Sequence, residues 1–458
     1  MLYRSARHVC IFRLAKKSMS TMSVPSVPIP NRSWASLFKS NSDAPRNSVI
    51  VEDKRAADEE VEVCPSVKHP GDSESCVDTD RHRRMGKYIN GHCVDGRAAN
   101  LRPRGLINPG NFCFMNAVLQ ALVACSPLFN LLSGLSQVNA SNGKRTSTPV
   151  IDGMCHFAME FDRLPMNATK VKNTRRRRSE GGNRTIITDV SLMPSRMHQM
   201  LGDIRSDMVT GRQQDAEEYL GCILNGLHEE MLGLTKATGN GADAEAAEVG
   251  SVSGGFGRTP IADIFGGLLR SRIHRDGDRA TDNFEPFFTL QLDIRRARTV
   301  REALETLVAK QSLEGLVSSR TNRVVEAWQQ VTLDELPVIL VLHLKCFDFG
   351  YGGCRKITRA LEYPLELSID GNLLSTNACL TTQKKGRRYK LFAVVYHDGR
   401  EAGRGHYLTD AFHSTYGSWI RYDDASVRPV QQDDALKPQG DRVPYLLFYR
   451  HSDTVKRK

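Results

Sequence analysis

The sequence predicts an α+β fold in which helices come first along the chain and an antiparallel sheet comes later. In the first half, the segments FCFMNAVLQAL from Phe112 and DAEEYLGCILNGLHEEM from Asp215 place apolar residues every three or four positions, as amphipathic helices do. The second half carries strand-like apolar runs. These runs are FFTLQLDI from Phe287, VILVLHLKCFDF from Val338, YKLFAVVYHD from Tyr389, HYLTDAF from His406, SWIRYDD from Ser418 and PYLLFYR from Pro444. Elements separated in this way indicate the α+β class.

The domain organisation follows from where this periodicity begins and ends. Residues 1–100 are rich in proline, serine and mixed charge, which predicts a mostly disordered extension. The ordered domain is expected over residues 101–452, followed by a short tail at 453–458. Two polar or glycine-rich segments, near 166–185 and 233–259, are expected to be exposed loops inside that domain.

The net charge of +11 is concentrated in the first part of the chain. Residues 1–42 contain seven Lys or Arg and no acid, so 11 − 7 leaves +4 for the rest. Such an arm can attract an acidic partner or a membrane surface without saying anything about the ordered domain. The four arginines at 175–178 fit a nuclear address, a phosphate-binding patch or a solvated basic loop.

The cysteines and the start of the chain bear on location. The eleven cysteines are irregularly spaced and odd in number, and no secretory signal is evident, which favours free thiols in a reducing compartment. The apolar runs are shorter than the roughly 20 residues that span a bilayer. We therefore expect a soluble protein of the cytoplasm and also of the nucleus. An acid-free, arginine-bearing start also fits a mitochondrial transit peptide at residues 1–20, and that alternative stays open.

One cysteine stands at the start of the first predicted helix. Cys113 follows the turn NPGNF, where Asn111 is the predicted cap. The dipole and unpaired amides of a helix start stabilise a thiolate, the form of cysteine that acts as a nucleophile. A cysteine in this position is equally explained as a small buried hydrophobe, so a catalytic interpretation needs a partner.

The strand-rich end supplies candidate partners. His406 follows Gly405 at the start of a predicted strand, and Asp423 and Asp424 lie seventeen residues further on, on the predicted neighbouring strand of a hairpin. An aspartate there would orient the ring and fix its tautomer. Asn108, five residues before the cysteine, is a candidate donor to an oxyanion. Each of these residues also has a structural explanation, as a sheet-edge histidine or as a turn residue.

Four blocks of the sequence together resemble one enzyme family. GLINPGNFCFMNAVLQAL and YKLFAVVYHDGREAGRGHYLTDAF are similar to the Cys and His boxes of the ubiquitin-specific proteases. Between them, RQQDAEEYLGCILNGLHEEM resembles the Gln-x-Asp-x-x-Glu helix of that family, and LPVILVLHLKCFDF resembles its central strand. The blocks occur in the family's order and extend from Leu101 to Arg450.

The resemblance implies a papain-like domain of thumb, palm and fingers, with the cleft between thumb and palm. It also implies a deubiquitinating activity, in which the isopeptide or peptide bond after the C-terminal glycine of ubiquitin is cleaved. Ubiquitin and ubiquitin-conjugated proteins are thus the expected partners. By motif position, Cys113 would be the nucleophile, His406 the general base and then acid, Asp423 its orienting partner and Asn108 the oxyanion donor.

The same resemblance assigns two carboxylates to substrate binding. Asp215 and Glu218 match the family positions that hold the basic, extended tail of ubiquitin. Charge-assisted hydrogen bonds from such carboxylates to arginines contribute about 1.5 to 3 kcal/mol each.

The sequence departs from the family pattern in several places. Many relatives bind zinc in the fingers through two CxxC pairs, but no cysteine occurs between Cys222 and Cys346, so we expect no metal and no cofactor. Arg404 stands where glycine or serine is frequent, and Cys346 where arginine is usual. Asp424 competes with Asp423 for the role of orienting the histidine.

Two other function classes fit the sequence less well. A ubiquitin-binding scaffold without turnover is disfavoured by the intact Cys, His, Asp and Asn set. A nucleic-acid binder is disfavoured because the basic segments lie outside the periodic core and lack interleaved aromatic residues. The extension at residues 1–100 is the expected site for recruiting protein partners.

Overall fold

The structure is a computed structural model, and it describes residues 72–139, 146–164, 186–209, 213–238, 256–350, 353–382, 384–401, 404–438 and 440–452. These residues belong to one unit of the chain, Pro70–Lys458. The first 71 residues of the predicted extension, the predicted loop at 166–185 and the tail at 453–458 lie outside the described residues.

The first half of the described chain is helical. The helices in it are α1 (Asp72–Asn90), α2 (Cys113–Ala124), α3 (Ser126–Val138), α4 (Pro149–Met159), α5 (Ser195–Ile204) and α6 (Ala216–Thr238). A short parallel pair of strands, β1 (Arg104–Leu106) and β2 (Asp189–Leu192), lies among them. The predicted helices from Phe112 and Asp215 are thus present as α2 and α6.

The ordered domain begins earlier than predicted. Helix α1 lies within the predicted extension, yet Met85 and Ile89 are buried in the core. Arg81 is also buried, and its guanidinium donates to Asn139 Oδ1 at 2.7 Å and to Asp152 Oδ1 at 2.5 Å. A helix that is held by Met85, Ile89 and a buried arginine shows little apolar periodicity, which explains why the periodic pattern did not mark α1 as ordered.

The predicted loop near 233–259 begins too early, because the first residues of that range belong to helix α6. The helix continues to Thr238, because Met231 and Leu234 still face the core, and Lys236 in its last turn complements the helix dipole. Residues 239–255 lie outside the described residues.

The second half forms the sheet that was predicted. Its strands follow the order β15-β14-β13-β12-β16-β8-β5, with β11 beside β12. They are β5 (Thr289–Asp293), β8 (Ile339–Lys345), β11 (Glu366–Ser368), β12 (Arg388–Glu401), β13 (Arg404–His413), β14 (Ser418–Asp423), β15 (Ser426–Val430) and β16 (Val443–His451). The neighbouring strands are antiparallel except β5 and β8, which run parallel, so the sheet is mixed rather than purely antiparallel.

A second sheet, which we call the finger sheet, has the order β4-β3-β7-β6. Its strands are β3 (Gly267–Arg275), β4 (Thr281–Phe287), β6 (Gln311–Leu313) and β7 (Ala327–Glu335). The remaining elements are α7 (Pro260–Phe265), α8 (Val300–Leu307), β9 (Phe347–Gly350), β10 (Gly353–Lys356), α9 (Thr376–Thr381) and α10 (Gln432–Leu436).

Helix α2 joins the helical half to the main sheet. Its residues from Cys113 to Leu122 are all buried, and Thr409 Oγ1 on β13 donates to Ala117 O at 2.7 Å. No single described helix has the length and apolar content to cross a membrane. Helices α2 and α3 meet that test only as a pair, and the pair is bent by 88°.

Candidate active site

Cys113 is the first residue of α2, and its side chain is buried at the end of the approach turn. Phe112 occupies the N-cap position and makes no side-chain capping bond, so the predicted Asn111 cap is wrong. Asn108 shapes the turn instead, since its Oδ1 accepts hydrogen bonds from Gly110 N at 3.0 Å and Phe112 N at 3.1 Å. The sulfur therefore lies at a helix start, where backbone N–H groups favour negative charge.

The strands β13 and β14 bring His406 and Asp423 to the same place. The ring Nε2 of His406 and Asp423 Oδ1 are 2.6 Å apart. This contact with Asp423, and then the interaction with the nearby Cys113 thiol, raises the pKa of His406 to about 10. In return the histidine lowers the pKa of Asp423. The structure thus brings the predicted cysteine, histidine and aspartate together, with a hydrogen bond between the histidine and the aspartate, and their catalytic roles stay predictions.

Asp424 lies near the histidine, with a carboxylate oxygen within 4.8 Å of a ring nitrogen, but its side-chain hydrogen bonds hold the approach to α2. Its two carboxylate oxygens accept from Asn108 Nδ2 at 2.9 Å and from Asn116 Nδ2 at 2.8 Å. Its backbone has a positive φ of 48°, and its carbonyl accepts from Leu106 N at 2.9 Å. Of the two aspartates that the sequence left open, Asp423 makes the hydrogen bond to the ring, and its orienting role stays a prediction.

The predicted oxyanion donor lies on the approach turn. The carboxamide nitrogen of Asn108 donates to Asp424, and because an amide nitrogen carries two hydrogens, the second lies outside this contact. Its role as an oxyanion donor stays a prediction.

The two predicted substrate-binding carboxylates lie at the start of α6. Asp215 Oδ1 accepts from Glu217 N at 2.7 Å, and Tyr445 donates its hydroxyl to the same carboxylate at 2.6 to 2.7 Å. Glu218 is exposed and pairs with Arg205 at 2.7 Å. Asp215 thus has a capping role of its own, and substrate binding by both carboxylates stays a prediction.

A third carboxylate adds to this negative surface. Burial, followed by the charges of Asp215 and Glu218, raises the pKa of Glu217 to about 7. Glu217 is consequently close to the point where its charge changes at neutral pH, beside two acids that keep the helix start negative.

Two side chains of α2 and one before α6 were missed by sequence reasoning. Asn116 and Gln120 are buried on α2, where Gln120 Nε2 donates to Arg104 O at 2.8 Å and Asn116 binds Asp424. Two carboxamides four residues apart in an apolar helix form one polar stripe, which was a readable signal. Gln213, the other missed residue, contacts Gly405 and Cys113.

The two residues that depart from the family pattern lie outside the group formed by Cys113, His406 and Asp423. Arg404 begins β13 and is exposed, whereas Cys346 is fully buried.

At the end of the finger sheet, Asp278 accepts hydrogen bonds from Ser318 Oγ and Ser319 N, both at 2.8 Å. Side-chain hydrogen bonds thus connect the two turns at this end.

Known proteins are similar to this chain over most of its length. The family model described as "Ubiquitin carboxyl-terminal hydrolase" matches residues 104–449. Ubiquitin carboxyl-terminal hydrolase 10 of Gallus gallus is 37% identical over 473 residues, which cover 94% of this chain and 60% of the relative. The probable ubiquitin carboxyl-terminal hydrolase 3 of Schizosaccharomyces pombe is 31% identical, over 98% of this chain and 93% of the relative. The chain spans about 60% of the length of the hydrolase 10 relatives.

Solved structures share the fold. A chain of the SAGA Ubp8/Sgf11/Sus1/Sgf73 DUB module bound to ubiquitin aldehyde matches with a TM-score of 0.58 and 22% identity, over 79% of this chain and 72% of the other. A second structure of the SAGA DUB module, bound to monoubiquitin, also matches with a TM-score of 0.58 and 22% identity, over 83% of this chain and 76% of the other. The predicted α+β fold class of a ubiquitin-specific protease is confirmed.

Proposed function

We propose, because this chain belongs to the ubiquitin carboxyl-terminal hydrolase family, that it is a deubiquitinating cysteine protease. Its substrate would be the isopeptide or peptide bond after the C-terminal glycine of ubiquitin on conjugated proteins. The observation that carries the proposal is the position of His406, which contacts Asp423 at 2.6 Å and lies close enough to the Cys113 thiol to interact with it. A thiol, an imidazole and a carboxylate in this order form an acyl-transfer set.

In the first half of the reaction, Cys113 attacks as a thiolate, which the helix start and the protonated ring of His406 stabilise. The sulfur bonds to the glycine carbonyl carbon, and the carbonyl oxygen becomes an oxyanion beside Asn108 and the first amides of α2. When the carbon–nitrogen bond breaks, His406 gives its proton to the leaving amine. A thioester between ubiquitin and Cys113 remains.

In the second half, water replaces the amine. His406, now neutral, takes a proton from water, and the hydroxide attacks the thioester carbon. The carbon–sulfur bond breaks, and ubiquitin leaves with a free carboxylate. The proton returns the cysteine and histidine pair to its starting state. Throughout both halves, Asp423 keeps the ring oriented and favours its protonated form.

Recognition of a basic peptide tail is supported by the start of α6. Asp215, Glu217 and Glu218 cluster there, and Glu218 already accepts a guanidinium, that of Arg205. We propose that an arginine of the substrate exchanges with Arg205 at Glu218. Such an exchange replaces one charge-assisted pair by another, so it costs little.

Hydrolysis of ubiquitin joined through its C-terminal glycine to a fluorogenic amine tests the function. The full chain is expected to release the fluorophore, and Cys113→Ala to release none while still binding ubiquitin. Cys93→Ala is the matched control, because Cys93 is an exposed free cysteine that lies outside the site. Turnover that persists in Cys113→Ala would contradict the proposal.

The location of the protein remains a proposal as well. The cysteine usage supports the cytoplasm and the nucleus, and residues 1–20 would redirect the chain to mitochondria if they act as a transit peptide. We also propose that the extension recruits protein partners. Imaging of the full chain and of a chain lacking residues 1–20, each with a C-terminal fluorescent tag, distinguishes the two destinations.

A further inference from the structure

Gln213 connects three parts of the candidate active site. It lies two residues before Asp215, in the segment that leads into α6. Its Oε1 accepts a hydrogen bond from Gly405 N at 2.7 Å, and its Nε2 donates to Gly405 O at 2.7 Å. The same nitrogen also donates toward Cys113 Sγ at 3.7 Å. The side chain of Gln213 therefore binds both the N–H and the C=O of Gly405, the residue before His406. Its amide nitrogen also contacts the sulfur of Cys113.

The backbone at Gly405 needs such a partner. Strands β12 and β13 pair Asp398 with His406 and then Glu401 with Arg404, so the register shifts and passes over Gly405. The carboxamide of Gln213 presents one acceptor and one donor to Gly405, as a neighbouring strand would. The Gln213 carboxamide thus supplies Gly405 with the hydrogen bonds that a neighbouring strand would make, at the point where the register of β12 and β13 shifts.

Packing around Gly405 also leaves no room for a side chain at this position. A Cβ at this position would lie 2.4 Å from His397 Nε2 and 2.6 Å from Asp398 O. His397 is fully buried and therefore cannot move aside cheaply. Gly405 is thus held between the ring of His397 and the carboxamide of Gln213, and its position sets the position of His406.

We propose that Gln213 is a positioning residue of the reaction, one that fixes His406 through Gly405 and donates to the Cys113 thiolate through Nε2. The proposal rests on the proposed roles of Cys113 and His406. Gln213 itself transfers no proton and forms no bond to substrate. Its two amide hydrogens are directed at Gly405 O and at the sulfur, so both contacts depend on the amide nitrogen.

The variant Gln213→Glu isolates that nitrogen. It keeps the acceptor for Gly405 N, but at neutral pH it replaces the donor by a carboxylate oxygen that faces the carbonyl of Gly405 and the sulfur of Cys113. Protonation of this carboxylate at acidic pH restores a donor. Gln214→Glu is the matched control, because it adds the same charge one position away, where Nε2 donates to Asp207 O at a long 3.4 Å.

The experiment measures alkylation of the full chain by iodoacetamide between pH 5 and pH 8, read by mass spectrometry on the peptide that contains Cys113. At pH 8 we expect Gln213→Glu to react roughly tenfold more slowly than Gln214→Glu, the effect of one hydrogen bond to a charged group. The difference should shrink toward pH 5. Equal rates at every pH, or a deficit that is independent of pH, would overturn the proposal.

A second variant protects the test against a folding defect. Gln213→Met removes both contacts without adding charge, and with the ubiquitin substrate it should lower kcat while leaving KM unchanged; a loss confined to KM, or no loss, would overturn the proposal. The failure of the proposed function is separately visible. If Cys113 of the unsubstituted chain reacts no faster than the exposed Cys93, the nucleophile assignment itself is wrong.

Discussion

We call the region of β13 and β14 around Cys113 and His406 the cleft. Both the cleft and the finger sheet contain paired polar side chains, but these pairs differ in their exposure to solvent. Beside the cleft, Arg421 on β14 and Asp410 on β13 form a two-point pair whose side chains are 7% and 0% exposed. On the finger sheet, Arg272 and Asp282 form a similar pair that is 43% and 24% exposed. A similar ion pair is therefore buried beside the cleft and partly exposed to solvent on the finger sheet.

This difference has energetic consequences. Water can replace an exposed partner, so a surface ion pair contributes about 0 to 1 kcal/mol. A buried charge that loses its partner stays desolvated, which costs about 3 to 5 kcal/mol. The cleft thus fixes positions firmly, as catalysis requires, whereas the finger sheet can adjust. Substitutions in the two regions test that contrast, starting with the largest effect.

The largest contrast is expected between two adjacent aspartates of the cleft. Asp423→Asn should lower kcat about a thousandfold, because the ring of His406 loses its charged partner. Asp424→Asn should be much less damaging, because asparagine tolerates the positive φ at this position and the Asp424 carboxylate accepts its hydrogen bonds from Asn108 and Asn116. Hydrolysis of the fluorogenic ubiquitin substrate measures both, and equal losses would break the distinction between the two residues.

The pH dependence sharpens the same contrast. The pKa of His406 is raised to about 10, so the proton for the leaving amine is present at neutral pH and is lost as the pH rises through that value. The contact's contribution to folding stability is likewise complete below the unfolded pKa of about 6.5 and declines toward pH 10. In Asp423→Asn the alkaline limb of kcat should move to lower pH. An unchanged limb would show that Asp423 does not set the pKa of His406.

The buried and exposed ion pairs should differ in stability. Arg421→Met is expected to reduce the free energy of unfolding by about 3 to 5 kcal/mol, because Asp410 is left buried without its partner. Arg272→Met should reduce it by at most about 1 kcal/mol. Urea denaturation of both variants measures the difference. Similar losses would remove the energetic distinction between cleft and finger sheet.

Helix α1 tests how far the firmly held region extends toward the N-terminus. Met85→Ala should cost about 2 to 5 kcal/mol of unfolding free energy, since the side chain is fully buried. Arg84→Ala, on the exposed face of the same helix, should change it by less than about 0.5 kcal/mol. If both variants unfold at the same urea concentration as the unsubstituted chain, α1 does not belong to the domain core.

The smallest effect is expected at the end of the finger sheet. Asp278→Ala removes the acceptor of Ser319 N and should speed hydrogen exchange at that amide. The melting temperature should stay within error, because the contact is exposed. Exchange mass spectrometry on the peptide that contains Ser319 reads the change. Faster exchange throughout the core would contradict a purely local role.

The sequence predicted the parts of this molecule that have regular patterns. The periodic runs of α2 and α6 and the apolar strands of the main sheet carry their own signals, and the order of the four family blocks located Cys113 and His406. The strands β3 and β7 lack such signals, because they carry arginines and glutamines with only partial burial. Helix α1 is anchored by Arg81 together with Met85 and Ile89, which give no clear periodic pattern in the sequence.

Other features depended on contacts between distant parts of the chain. The choice between Asp423 and Asp424 follows from where β14 ends and from the positive φ of the second residue. The contact of Gln213 with Gly405 links positions 192 residues apart. No local pattern contains such a pairing, so only the folded structure could show it.

Covalent capture by ubiquitin that carries a C-terminal electrophile tests the central claim most directly. The full chain should form a single adduct, and peptide mapping should place it on Cys113, whose thiol lies beside His406. Capture should fail in Cys113→Ala and persist in Cys93→Ala. An adduct on another cysteine, or ubiquitin binding without an adduct at Cys113, would contradict the account.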